Sequence, residues 1–205
     1  MQYIELKENL KDFTVFSLAD IKAIDSVFHR RRLNEWQDKG YIKKIIRGYY
    51  VFSDIEINEN ALFEIANRIY SPSYISFEMA LSYYGLIPEA VYGVTSAATR
   101  RTYRFKTFAG EFLYRSVKPG LFFGYNIAGD DKKRFKIACP EKAILDYFYM
   151  HPAIKEASDF IDLRINRKVF MEVVSLKKLK ILLRKFRQKS LNKRIRNFME
   201  FIRHA

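Results

Sequence analysis

The chain has 205 residues, of which 49% are hydrophobic and 16% aromatic, enough for one or two folded domains and unlike a disordered protein. No apolar run is long enough to span a membrane, and the N-terminus lacks the basic-then-apolar pattern of a secretion signal. The single cysteine, Cys139, excludes an intramolecular disulfide and fits a reducing compartment, so we expect a cytoplasmic protein without membrane contact.

The formal net charge of +14 is concentrated at one end of the chain. Residues 1–57 contain 10 Lys/Arg and 9 Asp/Glu, and residues 58–162 contain 13 and 12. The last 43 residues, 163–205, contain 14 and 2. A segment of this charge indicates a phosphate backbone or an acidic protein surface as its partner.

The N-terminal segment predicts two short helices. The first covers Met1 to Asn9. The stretch from Thr14 to Ile24 starts like a strand and continues as a helix, with Ser17 as candidate N-cap and Asp20 three residues later. We interpret it as the first helix of a helix-turn-helix.

The next residues predict a recognition helix. Asp25 is a candidate N-cap, since its carboxylate can accept from the free N–H groups of the first turn. Phe28, Leu33 and Trp36 cluster on one side of a helix of period 3.6, and Gly40 suits the left-handed residue that ends a helix.

A β-hairpin follows at once. Ile42 to Arg47 and Tyr49 to Phe52 are strand-like runs with Gly48 at the turn. Helix, glycine and hairpin in this order predict a winged helix-turn-helix over residues 1–57, in which the helix enters a DNA groove and the wing lies along the backbone.

Rotation at 100° per residue predicts which side chains of the helix face DNA. Opposite the buried side lie Val27, Arg30, Arg31, Asn34 and Asp38, with Gln37 at the margin. Arginine can bond guanine O6 and N7, asparagine pairs with adenine, and a small apolar side chain can touch a thymine methyl. Arg32 falls nearer the buried side, so we expect its stem to pack and its head to reach a backbone carboxylate or a phosphate rather than a base. On the wing, we expect phosphate contacts from Lys43, Lys44 and Arg47.

The middle of the chain predicts an α/β unit with a mainly antiparallel sheet, because short strand-like runs follow one another with tight turns. The predicted strands are Val91 to Ala97, Tyr103 to Phe108, Glu111 to Val117, Phe122 to Ile127 and Arg134 to Ala138. Helices are predicted from Phe77 to Tyr84 and from Glu141 to Met150, the latter with Pro140 in its first turn. We assign this unit and the basic tail to one domain, residues 58–205.

The C-terminal segment predicts basic helices. Lys168 to Lys185 is periodic, with Val169, Val173, Leu176, Leu179 and Leu183 along one stripe, and a last helix is marked by Leu191, Ile195, Phe198 and Ile202. The side chains that we expect to contact DNA from this tail are Lys177, Lys178, Lys180, Arg184 and Lys185.

The polar residues outside these regions do not predict catalysis. The three histidines lie in different elements, no glycine-rich phosphate loop is present, and Asp130-Asp131-Lys132 reads as a solvated turn although it resembles a nuclease cluster. We therefore expect no metal, no cofactor and no enzymatic activity. Hydroxyls at Thr95 and Ser96 precede Thr99, Arg100, Arg101 and Arg104, which are candidates for a phosphate or partner contact or for a solvated strand end.

Several ordered motifs resemble one protein family. SYISFEMALSYYGLIPE (73–89), TSAATRRTYRF (95–105), GEFLYRSVKPGLFFGY (110–125) and ACPEKAILDYFY (138–149) are similar to the AbiEi-type antitoxins, and RGYYVF (47–52) resembles the end of their N-terminal winged helix. The resemblance covers about residues 10–150 and is weaker in the basic tail.

The resemblance implies a type IV toxin–antitoxin, or abortive-infection, system. Members of the family repress their own operon by binding promoter inverted repeats through the N-terminal domain, and carry the antitoxin activity in the C-terminal domain. The implied partner is a nucleotidyltransferase-like toxin, opposed without a stable complex. From the residues alone, a nucleic-acid-processing enzyme with a winged-helix targeting head remains the alternative.

Overall fold

A computed structural model describes residues 1–88, 92–130 and 133–204. The fold is α+β, as the sequence predicts. Within this part of the chain the helices are α1 Tyr3–Leu10, α2 Leu18–Ile24, α3 Arg31–Asp38, α4 Glu59–Ile69, α5 Phe77–Tyr83, α6 Pro140–Met150, α7 Ala157–Asp162, α8 Arg167–Val173, α9 Leu176–Phe186 and α10 Lys189–His204. The strands are β1 Phe16–Ser17, β2 Ile42–Ile46, β3 Tyr49–Phe52, β4 Ser73–Ile75, β5 Val94–Ala98, β6 Tyr103–Thr107, β7 Gly110–Ser116, β8 Tyr125–Gly129 and β9 Arg134–Ala138.

The first three helices pack on a small sheet of order β1-β3-β2. Residues 1–52 form what we call the N-terminal module. Its buried side chains form a cluster of their own, made of Leu6, Leu10, Phe16, Ile21, Phe28, Leu33, Trp36, Ile42, Tyr50 and Phe52. Val15, Ile45 and Val51 instead belong to the larger core, so the module is joined to the rest of the chain through apolar contacts.

The second sheet has six strands in the order β6-β7-β5-β4-β9-β8. Three of its pairings are antiparallel, β6 with β7, β4 with β5 and β8 with β9. The other two, β5 with β7 and β4 with β9, are parallel. The sheet is therefore mixed, although antiparallel pairing predominates as predicted. The short central strand β4 has no counterpart among the predicted strands.

Helices cover this sheet and tie the C-terminus to it. Helix α4 packs against β4 and β9, and α5 packs against β5 and α6. Helix α6 in turn contacts α9 and α10. Leu191, Ile195 and Phe198 of α10 are fully buried in the larger core, so the basic tail is an integral part of this unit.

The predicted single helix from Lys168 to Lys185 is wrong. The structure has two helices here, α8 and α9, separated at Val174 and Ser175. Ser175 is the N-cap of α9, with its hydroxyl accepting from the Lys178 N–H at 3.3 Å. Its own N–H donates to the Glu141 carboxylate at 2.9 Å, which fixes the break in place.

The break also changes which apolar side chains are buried. Of the predicted stripe only Leu179 is buried, whereas Val169, Val173, Leu176 and Leu183 are buried only in part or exposed. The other buried apolar side chains of the two helices and the break are Phe170, Val174, Leu182 and Phe186. A helix that restarts after two residues presents a different face, so one continuous period could not identify it. The last helix is confirmed, with all four of its predicted apolar positions buried.

Two predicted strands also have different bounds. Predicted strand Phe122 to Ile127 starts only at Tyr125, because a 3-10 helix at Pro119–Leu121 and the left-handed residue Gly124 come before it. The strand predicted from Val91 begins at Val94, and Val91 itself lies outside the described residues. No helix among the described residues combines the length and the hydrophobicity of a membrane span.

Candidate nucleic-acid interface

Helix α2 begins as its sequence predicts. The Ser17 hydroxyl accepts from the Asp20 N–H, and the Asp20 carboxylate accepts from the Ser17 N–H at 2.7 Å, which completes a capping box. Arg68 of α4 also donates to Asp20. Although burial alone would raise it, the hydrogen bonds from Arg68 and Ser17 hold the pKa of the Asp20 carboxyl below its usual value. The start of α2 is thus anchored to α4, which belongs to residues 58–205, called the central unit from here on.

The predicted N-cap of the recognition helix is wrong. Asp25 lies at the C-terminal end of α2, in extended conformation, and its carboxylate accepts from the Val27 N–H at 3.2 Å and pairs with the N-terminal amine at 3.3 Å. Helix α3 begins only at Arg31. The residues between form a turn, because Asp25 uses its carboxylate locally, an alternative to capping that aspartate readily adopts.

The other end of α3 is formed as predicted. Gly40 has a φ of +70°, in the left-handed region. Its N–H donates to Gln37 O at 2.9 Å, and the Tyr41 N–H donates to Trp36 O at 2.9 Å. These two bonds define a Schellman motif, which reverses the chain into the hairpin.

The two faces of α3 separate as rotation predicts. Leu33 and Trp36 are buried with Phe28, whose ring centroid lies 5.5 Å from that of Trp36. The side chains exposed on the other side are Val27, Arg30, Arg31, Asn34 and Asp38. Val27 and Arg30 belong to the turn that precedes the helix, so they extend the exposed face instead of lying on the helix itself.

Other groups of the protein hold the side chains of Arg31, Arg32 and Gln37 to different degrees. The Arg31 side chain is 90% exposed and lies 4.0 Å from Glu35 in a loose ion pair. Arg32 is half-buried, and its guanidinium donates to the Met1 carbonyl, so its stem packs as predicted and its head is held by the N-terminus. The Gln37 amide donates back to Leu33 O at 3.1 Å. Of the polar side chains predicted to face DNA from this helix, Arg30, Arg31 and Asn34 are therefore the most accessible near its start.

The wing is a hairpin with a bulge. Strand β2 pairs with β3 from Ile42 opposite Phe52 to Ile46 opposite Tyr49, with the register shift between Lys44 and Ile46. Gly48 has a φ of +89° in the connecting turn, a conformation that favours glycine. The strand β1 on the other side of β3 adds a third strand that the sequence did not predict as part of the wing.

The cations of the wing are exposed but not equivalent. Lys44 and Arg47 are exposed to solvent. The Lys43 ammonium lies 5.6 Å from the centre of the Phe108 ring, in the turn between β6 and β7 of the central sheet. Lys43 is therefore partly engaged at the junction with the central unit.

The tail cations likewise fall into two groups. The Lys178 ammonium lies 3.0 Å from Glu141, and the Lys185 ammonium lies 4.8 Å from the centre of the Phe123 ring. Lys177, Lys180 and Arg184 are exposed on α9. Lys180 and Arg184 also line a groove of about 460 Å³ between α9 and α10, together with Leu183, Asn192, Arg196, Met199, Glu200 and Arg203.

One tail cation has a structural role that the charge count concealed. Arg194 is buried, and its guanidinium donates to the carbonyls of Phe148, His151 and Ile154 at 2.8, 3.0 and 3.3 Å. Burial lowers the pKa of this guanidinium below its usual value. It satisfies the end of α6 and the turn beyond it, and so it does not belong to the external basic surface.

The polar cluster predicted from Thr95 onward does not form as a unit. Thr95 and Ser96 are buried, and the Thr95 hydroxyl donates to Ser76 O at 2.7 Å. The arginines have separate partners, since Arg100 lies over the Tyr70 ring, Arg101 lies over the Tyr103 ring, and Arg104 pairs with Glu111. Thr99 is half-buried at the end of β5.

A buried charged network was missed by the sequence analysis. Lys142 and Asp146 are completely buried and form an ion pair on α6. The Asp146 carboxylate also accepts from the hydroxyls of Tyr74 and Ser76, each at 2.9 Å, and the Lys142 ammonium lies 2.8 Å from the Tyr74 oxygen. Burial lowers the pKa of Lys142 and raises that of Asp146. Their i, i+4 spacing in a helix with few other charged residues was the available signal.

The described residues include no group of three or more His, Cys, Asp or Glu side chains that could hold a metal ion. Of the nuclease-like segment Asp130-Asp131-Lys132, the last two residues lie outside the described part of the chain. Comparison of the chain with known protein families and with curated proteins finds no match.

Proposed function

We propose that this protein is a cytoplasmic DNA-binding transcriptional repressor and antitoxin of the AbiEi type, which autoregulates its operon in a type IV toxin–antitoxin system. The observation that carries the DNA-binding part is the exposed face of α3. It presents Arg30, Arg31 and Asn34 to solvent while Leu33 and Trp36 anchor the helix from behind. We interpret residues 1–57 as a winged helix-turn-helix, since α2, α3 and the hairpin follow in that order.

The antitoxin part rests on the resemblance of the central motifs. These motifs correspond to defined elements: 73–89 contains β4 and α5, 95–105 most of β5 and the start of β6, 110–125 contains β7, and 138–149 most of α6. Three of them contribute to the buried Lys142–Asp146 network or its surroundings. Motif 138–149 contains Lys142 and Asp146, motif 73–89 contains Tyr74, and motif 110–125 contains Phe123. On this proposal the antagonist is a nucleotidyltransferase-like toxin, and the protein itself has no enzymatic role.

Two assays test the two parts separately. For DNA binding, the full chain is titrated by fluorescence anisotropy against the DNA upstream of its own gene and against a shuffled duplex of equal composition. We expect a preference of about 10³-fold or more for the upstream DNA at physiological salt. Equal affinity for both duplexes would refute sequence-specific repression. For the antitoxin, co-expression with a neighbouring nucleotidyltransferase gene should restore growth, and failure to do so would refute that role alone.

A further inference from the structure

An open groove lies between the last two helices of the basic tail. Helices α9 and α10 are joined by a turn of only two residues, so α10 runs back alongside α9. On α10 the groove is lined by Asn192, Arg196, Met199 and Arg203, whose spacings of four, three and four residues place them on one helix face. At 1.5 Å per residue this face is about 16 Å long, or roughly three turns. The groove of about 460 Å³, which we call the tail groove, therefore has the length of a short helix.

The less exposed side chains of the tail groove are apolar. Met199 is buried and Leu183 of α9 is half-buried, and these two are the apolar members of the lining. Among the described residues, no aromatic side chain lines the groove. Methionine adapts its shape to different apolar partners and, like arginine, is enriched in protein–protein interfaces. A partner that fills the groove must therefore bring apolar side chains of its own.

The exposed side chains of the tail groove are mostly cations. They are Lys180, Arg184, Arg196 and Arg203. None of these four side chains pairs with another described residue. By contrast, Lys178, Lys185 and Arg194 of the same helices contact a carboxylate, an aromatic ring and backbone carbonyls. Glu200 is the single carboxylate among the described residues of the lining, so the groove attracts a negatively charged partner.

The combination of apolar and cationic side chains distinguishes between classes of polyanion. A phosphate backbone neutralises cations but has no apolar side chain with which to cover Leu183 and Met199. Single-stranded nucleic acids use aromatic side chains on which their bases stack, and the described lining has none. A helix with carboxylates on both flanks of an apolar stripe meets both requirements, because an amphipathic helix lays its apolar face into a groove while its flanks reach the rim. The lining therefore favours an acidic protein helix over a nucleic acid.

We infer that the tail groove binds an acidic amphipathic helix of a partner protein. An apolar stripe of about three turns covers Leu183 and Met199. Carboxylates on the two flanks of the stripe pair with the groove cations of α9 on one side and with those of α10 on the other. Binding depends on both parts, because charge steers the encounter and buried apolar area stabilises the complex.

The test uses a synthetic helical peptide as the probe. It has about 14 residues, with a stripe of leucines and with glutamates on both flanks, and it is titrated with the full chain by fluorescence anisotropy. Of two comparison peptides of the same length, one has the leucines scattered around the helix and the other has glutamine in place of glutamate. We expect the probe to bind saturably with a Kd on the order of tens of micromolar, and both comparison peptides to bind about 10-fold more weakly or worse. Equal binding of the scattered peptide would show attraction by charge alone and would overturn the proposal, as would the lack of saturable binding up to about 1 mM probe.

Two pairs of variants relate the binding to the tail groove. Leu183→Ser removes an apolar group from the lining, and Ile181→Ser is its control, because Ile181 is exposed on the same helix outside the groove. Arg196→Gln removes one charge of the groove, and its control Lys193→Gln removes one charge from the exposed surface of α10 outside it. Since Arg196 is exposed, its variant still tests the groove if Leu183→Ser fails to fold.

We expect Leu183→Ser and Arg196→Gln each to bind the probe about 5-fold to 10-fold more weakly, and both controls to bind like the unaltered chain. The loss from Arg196→Gln should shrink at high salt and the loss from Leu183→Ser should remain, because salt screens charges and not apolar contacts. Should Lys193→Gln weaken binding as much as Arg196→Gln, the attraction is diffuse and the proposal falls. It also falls if duplex DNA loses as much affinity from Leu183→Ser as the probe does, since the groove would then be a nucleic-acid surface.

A second measurement relates the tail groove to DNA binding and rests on the proposed function. Lys180 and Arg184 line the groove and are also among the tail cations predicted to contact DNA. At saturation the bound probe should therefore weaken binding to the upstream DNA by about 3-fold or more. If the probe binds and DNA affinity stays the same, competition is refuted and the groove stands. If the chain binds no DNA at all, it is the proposed function that fails, and the peptide titrations still decide the groove.

Discussion

The same side-chain group has very different surroundings at different positions of this protein. Arg30 and Arg31 are exposed on the α3 face, whereas Arg194, with an identical guanidinium, is buried against three carbonyls. Arg194 was counted only within the charge of residues 163–205, and its burial was not predicted from the sequence. The difference arises from tertiary packing, which places α10 against the end of α6, and no local pattern reports it.

Base reading can be tested one residue at a time. Replacing Arg30, Arg31 or Asn34 by alanine should cost about 1–3 kcal/mol on the upstream DNA and much less on random DNA, because a side chain that reads a base binds only where that base is present. Arg104→Ala, on an edge strand and already paired with Glu111, should leave both affinities unchanged. Equal reductions in affinity on both DNAs would show that the side chain holds phosphate and reads no base.

The buried pair on α6 makes a prediction about stability. Asp146→Ala should destabilise the protein by about 3–5 kcal/mol, because it leaves the Lys142 ammonium buried without its counter-charge. The double variant Lys142→Met with Asp146→Leu should be less destabilised than the single variant. Urea denaturation measures both, and a double variant as unstable as the single one would mean that the destabilisation comes from the Tyr74 and Ser76 hydroxyls instead.

At the scale of elements, the sequence predicted the helix ends and turns that are determined by neighbouring residues. The capping box at Ser17, the glycine that ends α3 and the hairpin turn at Gly48 are all determined by residues within one or two turns of the chain. The break between α8 and α9 involves a distant partner, since Glu141 accepts from the Ser175 N–H. Asp25, which was predicted to cap α3, instead uses its carboxylate locally at Val27 and at the N-terminal amine.

The wing makes a prediction about salt dependence. Lys44→Ala or Arg47→Ala should weaken binding to all DNA sequences alike and reduce the slope of log affinity against log salt by about 1, because we expect each side chain to contact a phosphate. Lys43→Ala should have a smaller effect, since its ammonium already lies against Phe108. Binding measured from low to high salt checks this, and an unchanged slope in all three variants would place the wing away from DNA.

At the scale of the whole molecule, positive charge is distributed unevenly along the chain. Residues 1–57 are nearly neutral in formal charge, while residues 163–205 carry 14 Lys/Arg against 2 Asp/Glu. Burial of Arg194 and the pairing of Lys178 with Glu141 remove two of these cations from the free surface. The exposed cations that remain on α9 and α10 are still a strong attractant for a polyanion.

We predict that the tail adds affinity for DNA without reading sequence. Reversing Lys177, Lys180 and Arg184 to glutamate should flatten the salt dependence of operator binding, by close to one unit for each phosphate that the tail no longer neutralises. Lys178 is left unaltered, because its removal would unpair the buried Glu141. If the slopes of the altered and unaltered chains agree within error, the tail does not touch DNA and a role towards the toxin becomes the better explanation.

The two separate cores have a consequence for biosynthesis. Domains fold as units, the N-terminal one first, while the chain leaves the ribosome. The smaller core draws all its buried side chains from Leu6 to Phe52, so it can close early in translation. The larger core needs Leu191, Ile195, Phe198 and Ile202, and thus stays open until these residues have left the ribosome. A nascent chain would expose its unfinished apolar sheet until then, a period in which chaperones would have to protect it.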